Sequence, residues 1–530
     1  MKAHLISNVK FMDTRKEIKE LVEEAIKKAY GIDFDVQVLR PKERNHGDFS
    51  VSCALEIGKT INSKPLDIAE QIKENLKSDS IEKVEIAGPG FINFFVSSKV
   101  IKKEVKNILK EKDKFGDLEI GKGQKIQIEF ISANPTGPLT VGNGRGGPFG
   151  DVLSNVFQKA GYRVEKAYYV NDFGKQILTL GHSILKDEES KYTGEYIDEI
   201  GKRIKGEDVY SVGKKGAEII LNEMIKKTIE KLGIKYDEWF LESELHKKGE
   251  IDKTIELLKK KELIYESEGA LWFKSTQFKD ERDRVLIKSN GEKTYLAGDI
   301  AYHKYKFEKK KFNRVINVWG ADHYGDVAGL KAGVEALGHK DKLEIILLQF
   351  VTVMKDGSPV KMSKRLGTAI TMDDLLEELN SDVIRFFFLN KAANTHLAFD
   401  LNLAKEQSEK NPVFYVQYAH ARISSILNKA GDIKIPKDFS LLNDKREIEL
   451  MKQILRFKEI IEDTVKDYQI QRIPQYAIDL ATTFHGFYQD CQVLIEDNDL
   501  KNQRLGLVLA TKITLKNVLN LMGISAPDKM

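Results

Sequence analysis

The fold is decided by residues 125–160, which read KIQIEFISANPTGPLTVGNGRGGPFGDVLSNVFQKA. Hydrophobic residues alternate with polar ones at Ile126, Ile128 and Phe130, which predicts a β-strand. A segment rich in glycine and proline follows, and apolar residues then recur at helical spacing up to Ala160. A strand, a glycine-rich loop and a helix in this order can present backbone amides and a helix N-terminus to phosphate oxygens. Taken alone, the segment is also compatible with an ordinary tight turn between a strand and a helix.

The strand and helix pattern continues downstream of this segment. Residues 163–170 (RVEKAYYV) predict a second strand and residues 173–185 a second helix, and residues 314–319 and 342–353 predict later strands. This order predicts a parallel sheet with right-handed crossovers. The highly charged segment of about 185–290 is predicted to be mostly helical and to be inserted between the two halves of the sheet.

Two further regions flank this core. Residues 1–112 begin with a helical pattern and end in the strand-like VEIAGPGFINFFV and a lysine-rich helix, so we predict a small α+β domain. Residues 400–530 show helical periodicity with few glycines, which predicts an all-α bundle of four or five helices. The catalytic core would then occupy residues 113–399.

Composition excludes several classes of protein. The 530 residues carry 85 Lys and Arg against 81 Asp and Glu, and the resulting net charge of +4 does not by itself indicate nucleic acid or a membrane. Cys53 and Cys491 are too far apart in the chain for a disulfide scaffold or a cysteine-rich metal site, which fits a reducing compartment. The sequence predicts neither a signal peptide nor a membrane span, so we expect a soluble cytoplasmic protein.

A second loop, MKDGSPVKMSKRLGT at residues 354–368, contains a predicted hairpin turn at Asp356 and Gly357 that is followed by three cations. Lys361, Lys364 and Arg365 lie within five residues beside a glycine. Such a loop can compensate charge that develops on a triphosphate in the transition state and release it afterwards. An isolated basic cluster of this kind is also compatible with a solvated surface.

Together, the two loops resemble the paired signatures of class I aminoacyl-tRNA synthetases. The closer resemblance is to arginyl-tRNA synthetases of the bacterial type, and it extends over almost the whole chain. The blocks that carry it are HGDFSVSCAL, VEIAGPGFINF, IEFISANPTGPLTVG, AYYVNDFGKQI, TYLAGDIAYHKYK, WGADHYGD, KMSKRLGT, FDLNLAKEQSEKNPVFYVQYAHARI, FHGFYQDCQVL and GISAPDKM. The resemblance implies a multidomain α/β chain whose catalytic core is a Rossmann-type parallel sheet.

The resemblance also implies the reaction. The chain would activate L-arginine with ATP to arginyl-adenylate and pyrophosphate, and then transfer arginine to the 3′-terminal adenosine of tRNA(Arg). Class I membership implies attack by the 2′-hydroxyl, and arginyl enzymes also require tRNA before they activate arginine. ATP is a substrate that carries Mg²⁺ on its phosphates, no dedicated protein metal site is expected, and the protein is expected to be a monomer.

By resemblance, ATP would be bound by residues of both loops. The expected ATP-binding residues are Pro138, Thr140, Gly142, Asn143, Lys361, Met362, Ser363 and Lys364, of which Thr140, Asn143, Lys361 and Lys364 are the expected catalytic residues. The family normally has a histidine at the positions of Thr140 and Asn143, although a hydroxyl and an amide can also donate hydrogen bonds there. The departure leaves three interpretations: a working variant, a non-catalytic paralogue and a different nucleotidyltransferase.

Recognition of arginine calls for a planar carboxylate that matches the forked donors of the guanidinium group. By resemblance, the arginine pocket would be lined by Glu129, Ser132, Asn134, Tyr295, Asp299 and His323. Without the resemblance, Glu129 is equally the outward residue of an amphipathic strand. A pocket that satisfies every guanidinium donor rejects neutral analogues, so no editing domain is expected.

By resemblance, both flanking domains would contact tRNA. The expected tRNA-binding residues are Phe49 in the N-terminal domain and Tyr415, Gln417, Tyr418, Arg422, Tyr488 and Gln492 in the helical bundle. Phe49, Tyr415 and Tyr418 could instead be core residues. Two rival functions remain: a module that binds tRNA without chemistry, and a class I synthetase for another amino acid.

Overall fold

The computed structural model describes residues 14–41, 43–206, 208–360, 369–432 and 434–530. The chain divides into two compact units. The first comprises the chain up to Phe115 together with Ile423–Arg456 and Thr482–Thr514, and the second comprises Gly116–Arg422, Phe457–Ala481 and Leu515–Met530.

The N-terminal part of the first unit is a three-stranded antiparallel sheet with helices. Its strands are β1 (Phe49–Val51), β2 (Ile81–Ala87) and β3 (Phe91–Val96), in the order β1-β3-β2, and its helices are α1 (Thr14–Tyr30), α2 (Cys53–Ile61), α3 (Pro65–Glu74) and α4 (Ser98–Glu111). The buried face of α1 is formed by Ile18, Val22, Ala25 and Ile26, at the spacing of an amphipathic helix. The α+β character predicted for this region is confirmed.

The second unit is built on a parallel sheet. The strands of this unit are β4 (Lys125–Phe130), β5 (Arg163–Val170), β6 (Glu238–Leu241), β7 (Ile264–Ser267), β8 (Ala270–Phe273), β9 (Arg284–Ile287), β10 (Arg314–Gly320), β11 (Leu343–Leu348), β12 (Val351–Lys355), β13 (Ser358–Pro359) and β14 (Leu397–Asp400). The order β11-β10-β4-β5-β6 is parallel throughout, so the carboxyl ends of these strands meet at one edge. The predicted parallel-sheet core is therefore confirmed, with β4 at its centre.

Helices connect these strands and continue to the end of the chain. They are α5 (Val141–Gly144), α6 (Gly146–Lys159), α7 (Lys175–Leu185), α8 (Glu195–Arg203), α9 (Val209–Ile219), α10 (Lys226–Lys231), α11 (Glu242–Lys247), α12 (Glu250–Lys260), α13 (Tyr295–Lys304), α14 (Tyr324–Ala336), α15 (Met372–Glu378), α16 (Ser381–Leu389), α17 (Leu401–Lys405), α18 (Pro412–Ala430), α19 (Lys445–Asp467), α20 (Arg472–Asp490) and α21 (Asn498–Leu521). Beyond Asp400, the described residues form helices and no strand, as the sequence predicts.

The segment 185–290 differs from its mostly helical prediction. It supplies β6, which forms the edge of the parallel sheet, and a separate antiparallel sheet in the order β7-β8-β9. Each of these strands has four residues, so none is long enough to stand out from the charged helical sequence around it.

Strand β4 is buried on both faces, as is typical of a central strand in a parallel sheet. Gln127 is fully buried and Glu129 is 5% exposed, so the interpretation of Glu129 as an outward, solvated residue is wrong. Both polar side chains are hydrogen-bonded: the Gln127 amide donates to Glu165 over 3.0 Å, and Glu129 accepts from the Lys306 ammonium group over 2.6 Å. The polar positions of the alternating pattern therefore face a buried polar layer and not water.

Helix α13 continues into a short π-helix, Tyr305–Lys309. A π-helical turn adds a residue relative to α-helical periodicity and is frequent at functional sites. Within it, the side chains of Lys306 and Phe307 are buried. This segment provides the lysine that reaches Glu129.

Within the parts of the chain described above, every helix is too short or too polar to serve as a membrane span. Cys53 and Cys491 are both buried free thiols. Burial raises the pKa of the Cys53 thiol to about 11, so this side chain is protonated at neutral pH.

Candidate active site

The glycine-rich loop leaves β4 through an unusual backbone turn. Ile131 and Ser132 have φ angles of 65° and 44°, a left-handed conformation that costs a non-glycine residue about 1–3 kcal/mol. Two tyrosines hold the loop in place: the hydroxyl of Tyr168 donates to the carbonyl of Ala133 over 2.8 Å, and that of Tyr196 to the carbonyl of Thr136 over 2.9 Å. Such strain persists only where the surrounding structure determines the conformation, as it does here.

Thr140 and Asn143, which stand where the family normally has histidines, are hydrogen-bonded to each other. Thr140 caps the N-terminus of α5: its hydroxyl accepts from the Asn143 backbone amide over 3.3 Å and donates to Asn143 Oδ1 over 2.7 Å. Gly142 and Asn143 are exposed, whereas Pro138 is half-buried. Thr140 therefore orients the Asn143 side chain through its Oδ1.

The glycine-rich loop is directly paired with the chain that follows the second signature loop. The Val141 amide donates to the carbonyl of Ile370 over 2.9 Å, and the Met372 amide donates to that of Leu139 over 2.8 Å. The hairpin turn predicted within that loop is confirmed, because Asp356 and Gly357 both have positive φ between β12 and β13. Lys361, Met362, Ser363 and Lys364 lie outside the described residues.

Arg145 anchors the start of α6. It is 1% exposed and donates to three backbone carbonyls, those of Gln349 over 2.6 Å, Ala392 over 2.9 Å and Thr395 over 3.0 Å. The connection between β11 and β12 and the chain before β14 are thereby fixed against the start of α6. The sequence analysis did not assign a role to this residue.

Glu129 lies near the carboxyl end of β4 and has two side-chain partners. Its Oε1 accepts from the Ser132 hydroxyl over 3.1 Å, and its Oε2 accepts from the Lys306 ammonium group over 2.6 Å. Asn317 of β10 pairs with Glu129 in the parallel register, and its Oδ1 also accepts from Lys306 over 3.3 Å. Lys306 is fully buried, and burial lowers its pKa.

The hydrogen bonds continue from Lys306 to the helix that carries Asp299. Because Asn317 Oδ1 accepts from a lysine, its Nδ2 is the group that donates to His303 Nε2 over 3.0 Å. His303 Nδ1 is then protonated and donates to the backbone carbonyl of Asp299 over 2.7 Å. Burial lowers the pKa of His303 well below its ordinary value, which agrees with a neutral ring.

Asp299 lies among other carboxylates. Burial, followed by the negative charges of Glu129, Glu242 and Asp326, raises the pKa of Asp299 to about 8. Glu242 is 8% exposed, and its Oε1 lies 3.7 Å from the position that a Cβ at Gly298 would occupy. A cation placed in this cluster would stabilise the ionised form of Asp299.

The other residues expected in the arginine pocket have different environments. Tyr295 begins α13 one turn before Asp299 and is 62% exposed. Asn134 is half-buried in the glycine-rich loop. His323 follows the carboxyl end of β10 and is exposed, with Asp322 and Asp326 each 3.6 Å from one of its ring nitrogens. The structure therefore places Glu129, Ser132 and Asp299 in one connected cluster, with Tyr295 and His323 at exposed positions on elements of the same sheet edge.

No metal cluster is present in the described ranges, where no three His, Cys, Asp or Glu side chains are arranged as metal ligands. The glycine-rich loop from Ile131 to Asn143 contains no charged residue. It therefore fits a metal ion held by phosphate oxygens better than one held by protein carboxylates.

Burial contradicts the expected stacking of Phe49 on a tRNA base. This side chain is 4% exposed in β1, where it pairs with Phe94 of β3, and the guanidinium of Arg40 lies 4.7 Å from its ring centroid. The core interpretation of Phe49 is therefore the correct one.

The residues expected to bind tRNA on α18 belong to the second unit. Tyr418 is 40% exposed and accepts from Arg422, also exposed, over 3.2 Å, whereas Tyr415 is half-buried. The Gln417 amide donates to Asp382 over 2.9 Å and to Ser525 over 3.1 Å, so this side chain holds the C-terminal segment.

Tyr488 and Gln492 belong to the first unit. Tyr488 is half-buried and stacks on Phe484 with 6.1 Å between ring centroids. Gln492 is exposed, and its backbone carbonyl accepts from Arg504 over 2.7 Å. A cation therefore lies beside Gln492 although the residue itself is neutral.

Sequence reasoning missed Lys306, His303 and Glu242. One signal was available for two of them, because Asp299, His303 and Lys306 follow the spacing i, i+4 and i+7 of a single helix face. A row of ionisable residues on one face beside a buried strand indicates a polar cluster. Glu242 offers no such signal, since the short strand before it was not predicted.

Comparisons with known proteins agree with this geometry. Three family models match the chain: "Arginyl tRNA synthetase N terminal domain" at residues 16–96, "tRNA synthetases class I (R), catalytic domain" at residues 104–210 and 203–424, and "DALR anticodon binding domain" at residues 416–530. An arginine–tRNA ligase of Acetivibrio thermocellus is 42% identical over 97% of this chain and 99% of its own length. An arginine–tRNA ligase of Bacillus subtilis is 40% identical over 98% of this chain and its entire length.

Solved structures show the same fold. The arginyl-tRNA synthetase of Thermus thermophilus superposes with a TM-score of 0.81 over 97% of this chain and all of its own, at 22% identity. The parallel sheet, the glycine-rich loop and the matching catalytic model define a class I aminoacyl-tRNA synthetase. The extent of the match to the relatives then specifies the group: the chain belongs to the arginyl-tRNA synthetase family.

Proposed function

We propose that this chain is an arginine–tRNA ligase that charges tRNA(Arg) at the carboxyl edge of its parallel sheet in two steps, activation of arginine with ATP and transfer of arginine from the adenylate to tRNA. The observation that carries the proposal is the carboxylate cluster of Glu129, Glu242 and Asp299 at that edge, beside a loop of the class I type. Full-length similarity to arginine–tRNA ligases supports the same activity.

In the first step, the carboxylate of arginine attacks the α-phosphorus of ATP, and pyrophosphate leaves. The reaction needs positioning and charge compensation more than a protein nucleophile. The guanidinium group is bound by Glu129 and Asp299, with Ser132, Asn134, Tyr295 and His323 completing the pocket. A forked cation matches a planar carboxylate in a way that a lysine side chain cannot reproduce.

ATP is bound along the glycine-rich loop. Pro138, Thr140, Gly142 and Asn143 contact the nucleotide, and Mg²⁺ is carried on its phosphates. Lys361, Met362, Ser363 and Lys364 approach the phosphates from the second loop. The hydrogen bonds between residues 139–141 and residues 370–372 support this assignment, because they hold the chain that follows the second loop against the glycine-rich loop.

In the second step, the 2′-hydroxyl of the terminal adenosine of tRNA attacks the arginyl carbonyl, and AMP leaves. Residues 1–112 and 400–530 are the tRNA-contacting domains, and 113–399 is the catalytic domain. Tyr415, Tyr418, Arg422, Tyr488 and Gln492 contribute to anticodon binding, Gln417 supports this surface by holding the C-terminal segment, and the enzyme works as a cytoplasmic monomer.

The activity is tested by charging unfractionated tRNA with each amino acid in turn. We expect arginine alone to be attached, in an ATP-dependent reaction. Attachment of another amino acid would favour a different class I synthetase. Binding of tRNA without attachment of any amino acid would favour a tRNA-binding module, the alternative suggested by Thr140 and Asn143.

The Thr140–Asn143 pair provides a second test within the same assay. Thr140→Val removes the hydroxyl that orients Asn143, so we expect the barrier to adenylate formation to rise by about 1–3 kcal/mol. Thr140→Ser keeps the hydroxyl and is the matched control. Equal rates for Thr140→Val and the unmodified enzyme would exclude a role for the pair in activation.

A further inference from the structure

Lys306 is a lysine with no exposed side-chain surface, in a segment where α-helical geometry is interrupted. Neighbouring Lys309, in the same π-helical turn, is 56% exposed and 3.1 Å from Glu250. Burying an ammonium group costs several kcal/mol unless it is paired and hydrogen-bonded. A lysine kept at such a position therefore has a specific partner, and here that partner is Glu129.

The ammonium group of Lys306 connects three elements of the second unit. It donates to Glu129 on β4 over 2.6 Å and to Asn317 on β10 over 3.3 Å, and it lies 4.2 Å from the ring centroid of Tyr302 on α13. Through Asn317 and His303 the same hydrogen bonds reach the backbone of Asp299. One chain of hydrogen bonds therefore links the Glu129 carboxylate to the backbone of the helix that carries Asp299.

The geometry leaves Glu129 able to accept a forked cation. A carboxylate has about four acceptor sites, two on each oxygen. Ser132 uses one on Oε1 and Lys306 uses one on Oε2, so each oxygen keeps one further site. One remaining site on each oxygen is the arrangement that a bidentate guanidinium group requires.

We propose that Lys306 is a positioning residue for the substrate arginine. It fixes the orientation of the Glu129 carboxylate, and through Asn317 and His303 it fixes Glu129 relative to the helix that carries Asp299. Lys306 does not touch the substrate. This inference rests on the proposed function, because it takes Glu129 to be a guanidinium acceptor.

The inference is tested by steady-state arginylation of tRNA with Lys306→Met and Lys306→Gln. We expect the KM for arginine to rise at least about tenfold in Lys306→Met and less in Lys306→Gln, which keeps a hydrogen-bond donor. The KM for ATP should stay within about twofold of the unmodified enzyme, since the hydrogen bonds of Lys306 to described residues go to Glu129 and Asn317 and not to the glycine-rich loop. Lys309→Met, an exposed lysine of the same turn, is the matched control and should change neither value.

A double variant shows whether Lys306 acts through Glu129. Residues that act through one another are non-additive, so adding Lys306→Met to Glu129→Gln should raise the KM for arginine little beyond Glu129→Gln alone. Removing both charges also avoids leaving a buried carboxylate unpaired, which protects the double variant from unfolding. Thermal melting identifies any variant that does not fold, and Lys306→Gln then replaces Lys306→Met.

Additive effects in the double variant, or a parallel rise in the KM for ATP, would overturn the inference. If Lys306→Gln and Lys306→Met both fold and neither changes the KM for arginine, the inference is also overturned. Failure of the proposed function is a separate result, because it would appear as an unmodified enzyme that attaches no arginine.

Discussion

Two polar clusters, one half-buried and one buried, lie on the same face of the central sheet, and they differ in how their charges are balanced. In the first, Lys310 lies 3.1 Å from both Glu165 and Glu238, and Gln127 donates to Glu165. In the second, at the carboxyl ends of the strands, Glu129, Glu242 and Asp299 lie together with Lys306 as the buried lysine. The first cluster has two carboxylates for one lysine, and the second cluster has three carboxylates for one lysine.

The difference shows in the pKa values. In the first cluster, although burial opposes them, hydrogen bonds from Gln127 and Lys310 lower the pKa of Glu165. Burial raises the pKa of Glu238, although Lys310 opposes it. In the second cluster, burial and neighbouring carboxylates raise the pKa of Asp299 to about 8. In the first cluster both carboxylates are bridged by Lys310, so we interpret it as structural, whereas the second has a surplus of acceptors that a cationic substrate would balance.

The largest effect is expected from Asp299→Asn. Removing one partner of a buried charge pair costs about 2–5 kcal/mol, so kcat/KM for arginine should fall between about 30-fold and a few thousandfold. The measurement is arginylation of tRNA(Arg) over a range of arginine concentrations. Glu165→Gln, a carboxylate of the structural cluster, is the matched control, and an equal loss in both variants would remove the distinction between the clusters.

Although its activity should fall, the Asp299→Asn variant should be more stable than the unmodified chain at high pH. A carboxyl whose pKa is about 8 in the folded protein and near 3.8 when unfolded opposes folding increasingly as the pH rises between these values. Asp299→Asn removes this carboxyl. The free energy of unfolding of the variant minus that of the unmodified chain should therefore be larger at pH 9 than at pH 4. Chemical denaturation at the two pH values measures this, and a loss at pH 9 would contradict it.

The next largest effect is expected from pH. Arginine binding favours ionised Asp299, so its KM should rise toward about tenfold per pH unit as the pH falls below about 8. The Asp299→Asn variant should lack this dependence, whatever its absolute KM. A wild-type KM for arginine that is flat from pH 6.5 to 8.5 would show that Asp299 does not exchange its proton for the substrate.

The smallest effect on catalysis is expected from Lys310→Met. This side chain is 25% exposed and bridges Glu165 and Glu238, so its loss should lower the free energy of unfolding by about 1–2 kcal/mol. Arginine KM should stay within about twofold, since the structural cluster does not bind the substrate. A large rise in the KM for arginine in a folded Lys310→Met would place Lys310 in the pocket.

Much of this architecture could be predicted from the sequence. The pattern at residues 125–160 predicts the central strand, the loop and the helix, because alternation and helical spacing are both strong there. The strand Glu238–Leu241 was missed, since four residues carry no clear periodicity. The burial of Gln127 and Glu129 could not be predicted either, because alternation shows two faces and not what covers them.

The candidate site was predictable in part. Glu129 and Asp299 were proposed by resemblance, and the structure connects them through a hydrogen-bond chain that no sequence motif describes. Lys306 lies at the start of a π-helical turn and keeps the helical spacing from Asp299 and His303, so its position on that face could be predicted, whereas its partner Glu129 on a distant strand could not. Phe49 shows the opposite outcome. The resemblance assigned this aromatic residue of the HGDFSVSCAL block to tRNA binding, and the structure buries it in the core.

The central claim is that the surplus carboxylates receive the guanidinium group of arginine. A crystal structure of the protein with L-arginine tests it most directly. We expect the guanidinium nitrogens within hydrogen-bonding distance of the carboxylates of Glu129 and Asp299, with Lys306 still bound to Glu129. Arginine bound elsewhere, or bound with its guanidinium group in solvent, would contradict the account.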